Sequence, residues 1–118
     1  MARIKSSILV AAISRLASQN NGAAYVSRRG SEEAGAIFIT LYDRQSRSLS
    51  LYEPAPQALS ADENIGKDSR AFTLLGEGMD DQALSERFEK EARFDPDFWV
   101  VELEGISIGA LDDVLTII

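Results

Sequence analysis

The sequence predicts an α+β fold: an antiparallel sheet of about five strands, three of them in a meander, with two helices packed mainly on one face. Three observations predict it. The chain opens with an amphipathic helical pattern, continues in short apolar segments separated by polar turns, and places a second helical pattern before the last clear strand. Its 118 residues, 45% of them hydrophobic, suffice for a single domain over residues 1–118 with one core.

The first element is a helix over residues 5–19. Ser6 or Ser7 is positioned to cap its start, and Asn20-Asn21-Gly22 provides the stop. Apolar residues at helical spacing mark the side that covers the sheet: Ile8, Leu9, Ala12, Ile13 and Leu16.

Strand signals follow at residues 23–28, 35–42 and 49–53, and the polar turns between them predict the meander. Pro54 and Pro56 end the third strand, because proline cannot donate to a ladder, and we expect an exposed loop from there to Ser69. A fourth strand over residues 71–75 leads to a second helix over residues 80–93. Its apolar stripe is thin and predicts a peripheral position: Leu84, Phe88 and Ala92.

The fifth strand, over residues 99–103, lies within the stretch DFWVVELE, which directly follows RFDP. Alternation places Trp99, Val101 and Leu103 on one face. Glu102 and Glu104 then point to the other face, toward water or a helix end. The tail, residues 105–118, is apolar but broken by two glycines and two aspartates, so it has no clear period.

Composition excludes several classes of chemistry. The chain has no cysteine and no histidine, which rules out disulfides, thiolate catalysis, histidine-based triads and imidazole metal sites. Any metal would need oxygen ligands, and we expect neither a metal nor a cofactor. The net charge of -7 opposes binding to nucleic acid or to an anionic membrane, and no apolar stretch is long enough to span a bilayer. We expect a cytoplasmic protein.

Asp95 and Asp97, on either side of Pro96, are weak candidates for catalytic residues. A hydrolase or lyase could use them together with Arg28 or Arg29, with or without Mg²⁺. The favoured interpretation is structural. The residue before a proline avoids helical geometry, so the helix ends near Phe94 and the two carboxylates bond the backbone of the turn.

The turn Arg28-Arg29-Gly30 is a weak candidate for a binding site. Paired guanidinium groups beside a glycine can hold a small anion such as phosphate. The favoured alternative has the two arginines pointing to opposite faces and pairing with Glu32, Glu33 or the acidic second helix.

The side of the first helix opposite its apolar face carries only small uncharged residues, which we call the small-residue stripe: Ser7, Ala11, Ser14 and Ser18. A solvated face normally carries lysine and glutamate, whereas small residues permit close approach of another helix. We therefore predict a protein partner, most simply a second copy in a homodimer. A quiet solvent-facing surface is the alternative.

Two segments together resemble a known family. YVSRRGSEEAGAIFI, followed about fifty residues later by RFDPDFWVVELE, is similar to the short alphaproteobacterial proteins of domain of unknown function family 1491. The resemblance covers roughly residues 3–104 and leaves the tail outside. It implies no activity and brings no site residues, because no function is known for the family. Our expectation is a small interaction or structural module without enzymatic activity, with the hydrolase or lyase and the anion binder as alternatives.

Overall fold

The computed structural model describes residues 4–56 and 70–118, and it shows two helices packed on a six-stranded mixed sheet. The α+β class is confirmed. In chain order the elements are α1 (Ser6–Gln19), β1 (Ala23–Arg28), β2 (Ala36–Asp43), β3 (Ser48–Pro54), β4 (Arg70–Met79), α2 (Asp81–Phe94), β5 (Phe98–Glu104), a 3₁₀ turn (Ile108–Leu111) and β6 (Leu115–Ile117).

The strand order is β1-β5-β2-β3-β4-β6, with β5 parallel to β2 and β6 parallel to β4. The expected antiparallel sheet of five strands, with β1, β2 and β3 as a meander, is therefore wrong. β5 is inserted between β1 and β2 because four successive residues, Phe98–Val101, are buried and need neighbours on both edges and cover on both faces. β1 alternates between exposed and half-buried residues, which suits an edge.

The helices cover opposite faces, so the expectation that both pack mainly on one face is also wrong. α1 packs over Ile37, Trp99 and Val101, whereas α2 packs over a second cluster that contains Phe38 and Val100. The physical reason is that β2 and β5 are apolar on both faces. Each face must be covered, and one helix cannot cover two.

α1 occupies almost the predicted range, but details differ. Its buried centre is Leu9, Ile13 and Ala17, whereas Ile8 is 54% exposed. Neither candidate cap is used: the N-cap position has no side-chain hydrogen bond, and the buried Ser6 hydroxyl donates to the carbonyl of Gly35 at 2.6 Å. Ser6 thus ties the start of α1 to the segment before β2.

The tail completes the far edge of the sheet. Leu111 and Leu115 are buried in the α1-side core, and the amide of Ile118 donates to the carbonyl of Phe72 at 2.9 Å. β3 ends at Pro54 as predicted. Most of the predicted loop, residues 57–69, lies outside the described residues.

Candidate functional site

A cleft opens on the α2 face of the sheet, at the N-terminal end of α2. The helix covers Phe38, Leu51, Phe98 and Val100. Beyond the start of α2, the sheet forms the floor of an open space among the described residues. The space measures about 420 Å³. We call it the acidic cleft, and its polar lining side chains are Tyr25, Thr40, Tyr42, Arg47, Asp80, Asp81, Glu102 and Glu104.

Strand register arranges the floor of the acidic cleft in two rows. In one row, Glu102 on β5 lies between Tyr25 on β1 and Thr40 on β2. In the next row, Glu104 lies beside Tyr42. Residues two apart on a strand are separated by about 6–7 Å, so the two carboxylates stand side by side along β5. The prediction that they face water or a helix end is confirmed.

Thr40 is the unusual residue of the floor. It is only 2% exposed, and its hydroxyl has no hydrogen-bond partner within residues 4–56 and 70–118. A buried hydroxyl without a partner costs about 1–3 kcal/mol relative to a bonded one. The oxygen has almost no exposed surface, so a hydrogen bond to a water or a ligand in the cleft requires a local rearrangement of the floor.

Some charged groups around the cleft have partners within the protein, and others do not. Asp80 caps α2, since its side chain accepts from the amide of Ala83 at 2.8 Å, and Asp81 lies in the first turn, where the helix dipole stabilises an anion. Glu102, Glu104 and Arg47 form no ion pair within the described part of the chain. Within the ranges the structure describes, four carboxylates and one guanidinium line the cleft, and two glutamates and the arginine form no ion pair.

Asp95 and Asp97 lie away from this cleft, at the turn between α2 and β5. The side chain of Asp95 accepts from the amide of Asp97 at 3.0 Å. One carboxylate oxygen of Asp97 accepts from the amide of Ser31 at 2.7 Å, and the other accepts from the Ser31 hydroxyl at 2.9 Å. Both weak catalytic candidates therefore accept hydrogen bonds that hold turns: Asp95 within its own turn, and Asp97 from Ser31 in the β1–β2 connection.

The two arginines of the Arg28-Arg29-Gly30 turn pack on aromatic rings. Arg28 lies over the ring of Phe98, 4.0 Å from its centre, and donates to the carbonyl of Pro96 at 2.8 Å. Arg29 lies 5.0 Å from the centre of the Trp99 ring. Phe98 and Trp99 belong to opposite faces of the sheet, as expected for the two arginines, but rings take the place of the expected glutamates.

The glycine of that turn is required by close packing. A Cβ at Gly30 would lie 2.8 Å from the Trp99 ring, and the Trp99 indole nitrogen donates to the carbonyl of Ser31 at 2.9 Å. The two sequence segments that resemble the family are thus brought together in space. They form one packed joint between the β1–β2 connection and the start of β5.

The small-residue stripe of α1 faces solvent within the single chain. Ala11 and Ser18 are exposed, and Ser7 and Ser14 are half-buried. Ile8 lies one helical turn before Ala11 and adds an apolar side chain to the same surface. The structure brings these residues together on one surface of α1.

Sequence reasoning missed Thr40 and Arg47. A signal for Thr40 was present, because it is the one hydroxyl-bearing aliphatic residue in the apolar run of β2, and a polar side chain in a central strand normally needs a partner. Arg47 gave no signal in its polar turn. Two tyrosines, Tyr25 and Tyr42, also line the cleft.

Neither a metal site nor a membrane span is found in the described ranges. Residues 4–56 and 70–118 contain no group of three or more Asp and Glu residues placed to hold a metal ion. No helix within those ranges has the length and apolar character that crossing a bilayer requires.

Comparison with known proteins gives a consistent answer. A protein from Agrobacterium tumefaciens with a solution structure shares 39% identity, with 92% of each chain covered and a TM-score of 0.78. A crystal structure of a DUF1491 family protein from Caulobacter crescentus shares 30% identity over 86% of this chain and 88% of that one, with a TM-score of 0.67. No curated protein matches significantly. The profile of the family described as protein of unknown function (DUF1491) matches residues 4–111, which extends past the expected 3–104 into the tail. The chain therefore belongs to the DUF1491 family.

Proposed function

We propose that this protein is a small binding module whose acidic cleft takes a positively charged organic group. The observation that carries the proposal is the pair of exposed glutamates, Glu102 and Glu104, which line the cleft and form no ion pair among the described residues. The unpartnered hydroxyl of Thr40 is buried beside Glu102 on the floor. A bound cation with N–H donors would neutralise these carboxylates, which form no ion pair with the described residues. If the floor rearranged locally, the same cation would supply the hydrogen bond that Thr40 lacks.

The walls of the cleft suit an organic cation. Tyr25 is 67% exposed and lies opposite Glu102, so its ring is available for a cation–π contact. The carboxylates are spread along β5 and the start of α2 and do not converge in threes, which is the arrangement a divalent metal would need. A guanidinium or ammonium group, by contrast, uses carboxylates one or two at a time.

Binding accounts for the residues better than catalysis does. The carboxylates of Asp95 and Asp97 bond the turn around Ser31, and the guanidinium groups of Arg28 and Arg29 lie on aromatic rings. The hydrolase alternative would require the two aspartates to leave their present hydrogen bonds, and an anion site that used both arginines would require Arg28 to leave the carbonyl of Pro96. The acidic cleft requires no such change.

The test is a titration with agmatine, an amine that carries a guanidinium, followed by chemical-shift changes in nuclear magnetic resonance spectra. We expect Glu102→Gln to weaken binding about tenfold, because one charge-assisted hydrogen bond is lost. Glu89→Gln removes the same charge from an exposed position of α2 outside the cleft and serves as the control. Equal weakening by both variants, or no shift of any cleft amide, would contradict the proposal.

Thr40→Val gives a second readout. The exchange keeps the side-chain shape and removes a buried hydroxyl that lacks a partner, so it should stabilise the free protein by about 1 kcal/mol while weakening agmatine binding. A variant that lost stability and kept its affinity would show that the hydroxyl serves the fold.

We also propose that the module self-associates through α1. The solvent-facing small-residue stripe, with the exposed Ile8 beside it, supports a second copy of the chain as the partner. A cytoplasmic location is part of the same proposal.

A further inference from the structure

Among the described residues that line the acidic cleft, Arg47 is the one that carries a positive charge. It is exposed in the turn between β2 and β3, and its backbone has φ 54°, in the left-handed region that a non-glycine residue seldom adopts. Although carboxylates line the same cleft, Arg47 makes no ion pair with any residue in the ranges 4–56 and 70–118. Its charge is available to a ligand.

The positive and negative charges lie at different places in the cleft. Glu104 on β5 pairs with Tyr42 on β2, and Tyr42 pairs with Leu49 on β3. Arg47 precedes Leu49 by two residues, at the end of the sheet. Neighbouring strands are about 4.8 Å apart, so roughly 10 Å of sheet separates the backbone of Glu104 from that of β3. The cleft thus has an acidic side along β5 and a basic corner at the β2–β3 turn.

Asp81 lies near that basic corner. Met79, the last residue of β4, pairs with Leu49, and α2 begins two residues later at Asp81. The corner therefore combines a guanidinium, a carboxylate and the positive end of a helix. Such a set matches the α-carboxylate and the α-ammonium of a free amino acid, with Arg47 holding the first and Asp81 the second.

We propose that the ligand of the acidic cleft is a free basic amino acid, such as arginine or lysine. Its zwitterionic end lies between Arg47 and Asp81, and its side-chain cation lies against Glu102 and Glu104. The side chain of arginine or lysine spans about 6–7 Å, and the side chains of Arg47 and Glu104 reach inward to close the rest of the roughly 10 Å between β3 and β5. The volume of about 420 Å³ is that of a small-molecule site. This inference rests on the proposed function and specifies its ligand.

Isothermal titration calorimetry with four ligands tests it. Against L-arginine, agmatine lacks the α-carboxylate and L-citrulline lacks the side-chain charge. Nα-acetyl-L-arginine lacks the α-ammonium and imitates the last residue of a protein chain. We expect arginine to bind at least tenfold more tightly than each of the other three. If the acetylated compound binds as well as arginine, the source is a protein C-terminus and the free amino acid is excluded.

Arg47→Asn is the decisive variant, because asparagine tolerates the left-handed backbone and carries no charge. In this variant arginine should lose its advantage over agmatine, whereas Arg44→Asn, in the same turn but outside the cleft, should keep it. Equal binding of arginine and agmatine by the wild-type protein would overturn the inference and leave the cation-binding function standing. Failure of every cation to bind at millimolar concentration would overturn both.

Discussion

Trp99 shows how a single residue organises the joint between distant segments. It is 1% exposed in the α1-side core, its indole nitrogen bonds the carbonyl of Ser31, and Arg29 lies over its ring. Gly30 and Gly35 both approach it so closely that a Cβ at either position would lie within 3.0 Å of ring atoms. A bulky residue at either glycine would therefore displace the indole.

We predict that Trp99→Ala lowers the free energy of unfolding by about 3–5 kcal/mol, because it empties a large buried volume. Asp97→Asn should cost about 1 kcal/mol, because an amide oxygen can still accept from the amide of Ser31. Urea unfolding followed by circular dichroism measures both, and fluorescence is unsuitable since Trp99 is the only tryptophan. A Trp99→Ala protein as stable as wild type would refute its place in the core.

Tyr52 gives a prediction about pH. Its burial, and secondly the negative charge of Glu77, raise the pKa of Tyr52 above its ordinary value of 10.0. Below pH 10 the folded and unfolded states both hold the proton. Above pH 10 the unfolded state releases it first, so the free energy of unfolding falls as pH rises toward the folded-state pKa.

Between pH 9 and pH 11, the urea concentration at the midpoint of unfolding should therefore fall more for the wild type than for Tyr52→Phe. Tyr25→Phe, at an exposed position, is the matched control and should behave as wild type does. If Tyr52→Phe lost as much stability at alkaline pH as the wild type does, Tyr52 would not be the cause of that loss.

At the scale of elements, α1 has a second surface that the single chain does not use. Its buried face packs on the sheet, whereas no described residue covers its small-residue stripe. Small side chains let two helix backbones approach closely, and a two-fold axis would bring two such stripes together.

We predict that the wild-type protein is a dimer in light scattering at high micromolar concentration. The double variant Ala11→Glu with Ser14→Glu should be a folded monomer, because four new carboxylates would meet in the interface. Gln82→Glu with Ser85→Glu adds the same charge on exposed positions of α2 and should stay dimeric. A monomeric wild type would refute the interface.

The sequence predicted both helices and the strands β1, β2, β3 and β5 to within one residue at each end, because each is determined by local periodicity and by its stop signals. β6 was not predicted, since the tail has no clear period. β1 was predicted over residues 23–28, the range the structure has. β4 was predicted too short, since its second half carries Gly76 and Gly78, which indicate a turn in sequence but continue the strand here. Glycine weakens a strand signal without forbidding the strand.

At the scale of the whole molecule, the strand order was not predictable by the same reasoning. Neighbours in sequence usually pair, and that rule gave the meander, yet β5 separates β1 from β2. The burial of β5 on both faces was visible in its sequence, but which strands would flank it depends on contacts between distant residues. The cleft follows from the same arrangement, because Thr40 and Glu102 become neighbours only once β5 lies beside β2.

The net charge of -7 leads to the last prediction, which concerns divalent metal ions. In an acidic protein any salt relieves repulsion between carboxylates, so Mg²⁺ and Ca²⁺ should raise the melting temperature only as much as NaCl of equal ionic strength. Residues 4–56 and 70–118 offer no converging set of three carboxylates that would add specific binding. Thermal melts in 5 mM of each chloride, matched with NaCl, make the comparison at concentrations on the order of those that weak protein sites need. A further rise of several degrees, lost in Asp95→Asn, would identify a metal site at the turn before β5 and restore the hydrolase hypothesis. A rise lost instead in Glu102→Gln would place the metal in the acidic cleft and count against an organic cation there.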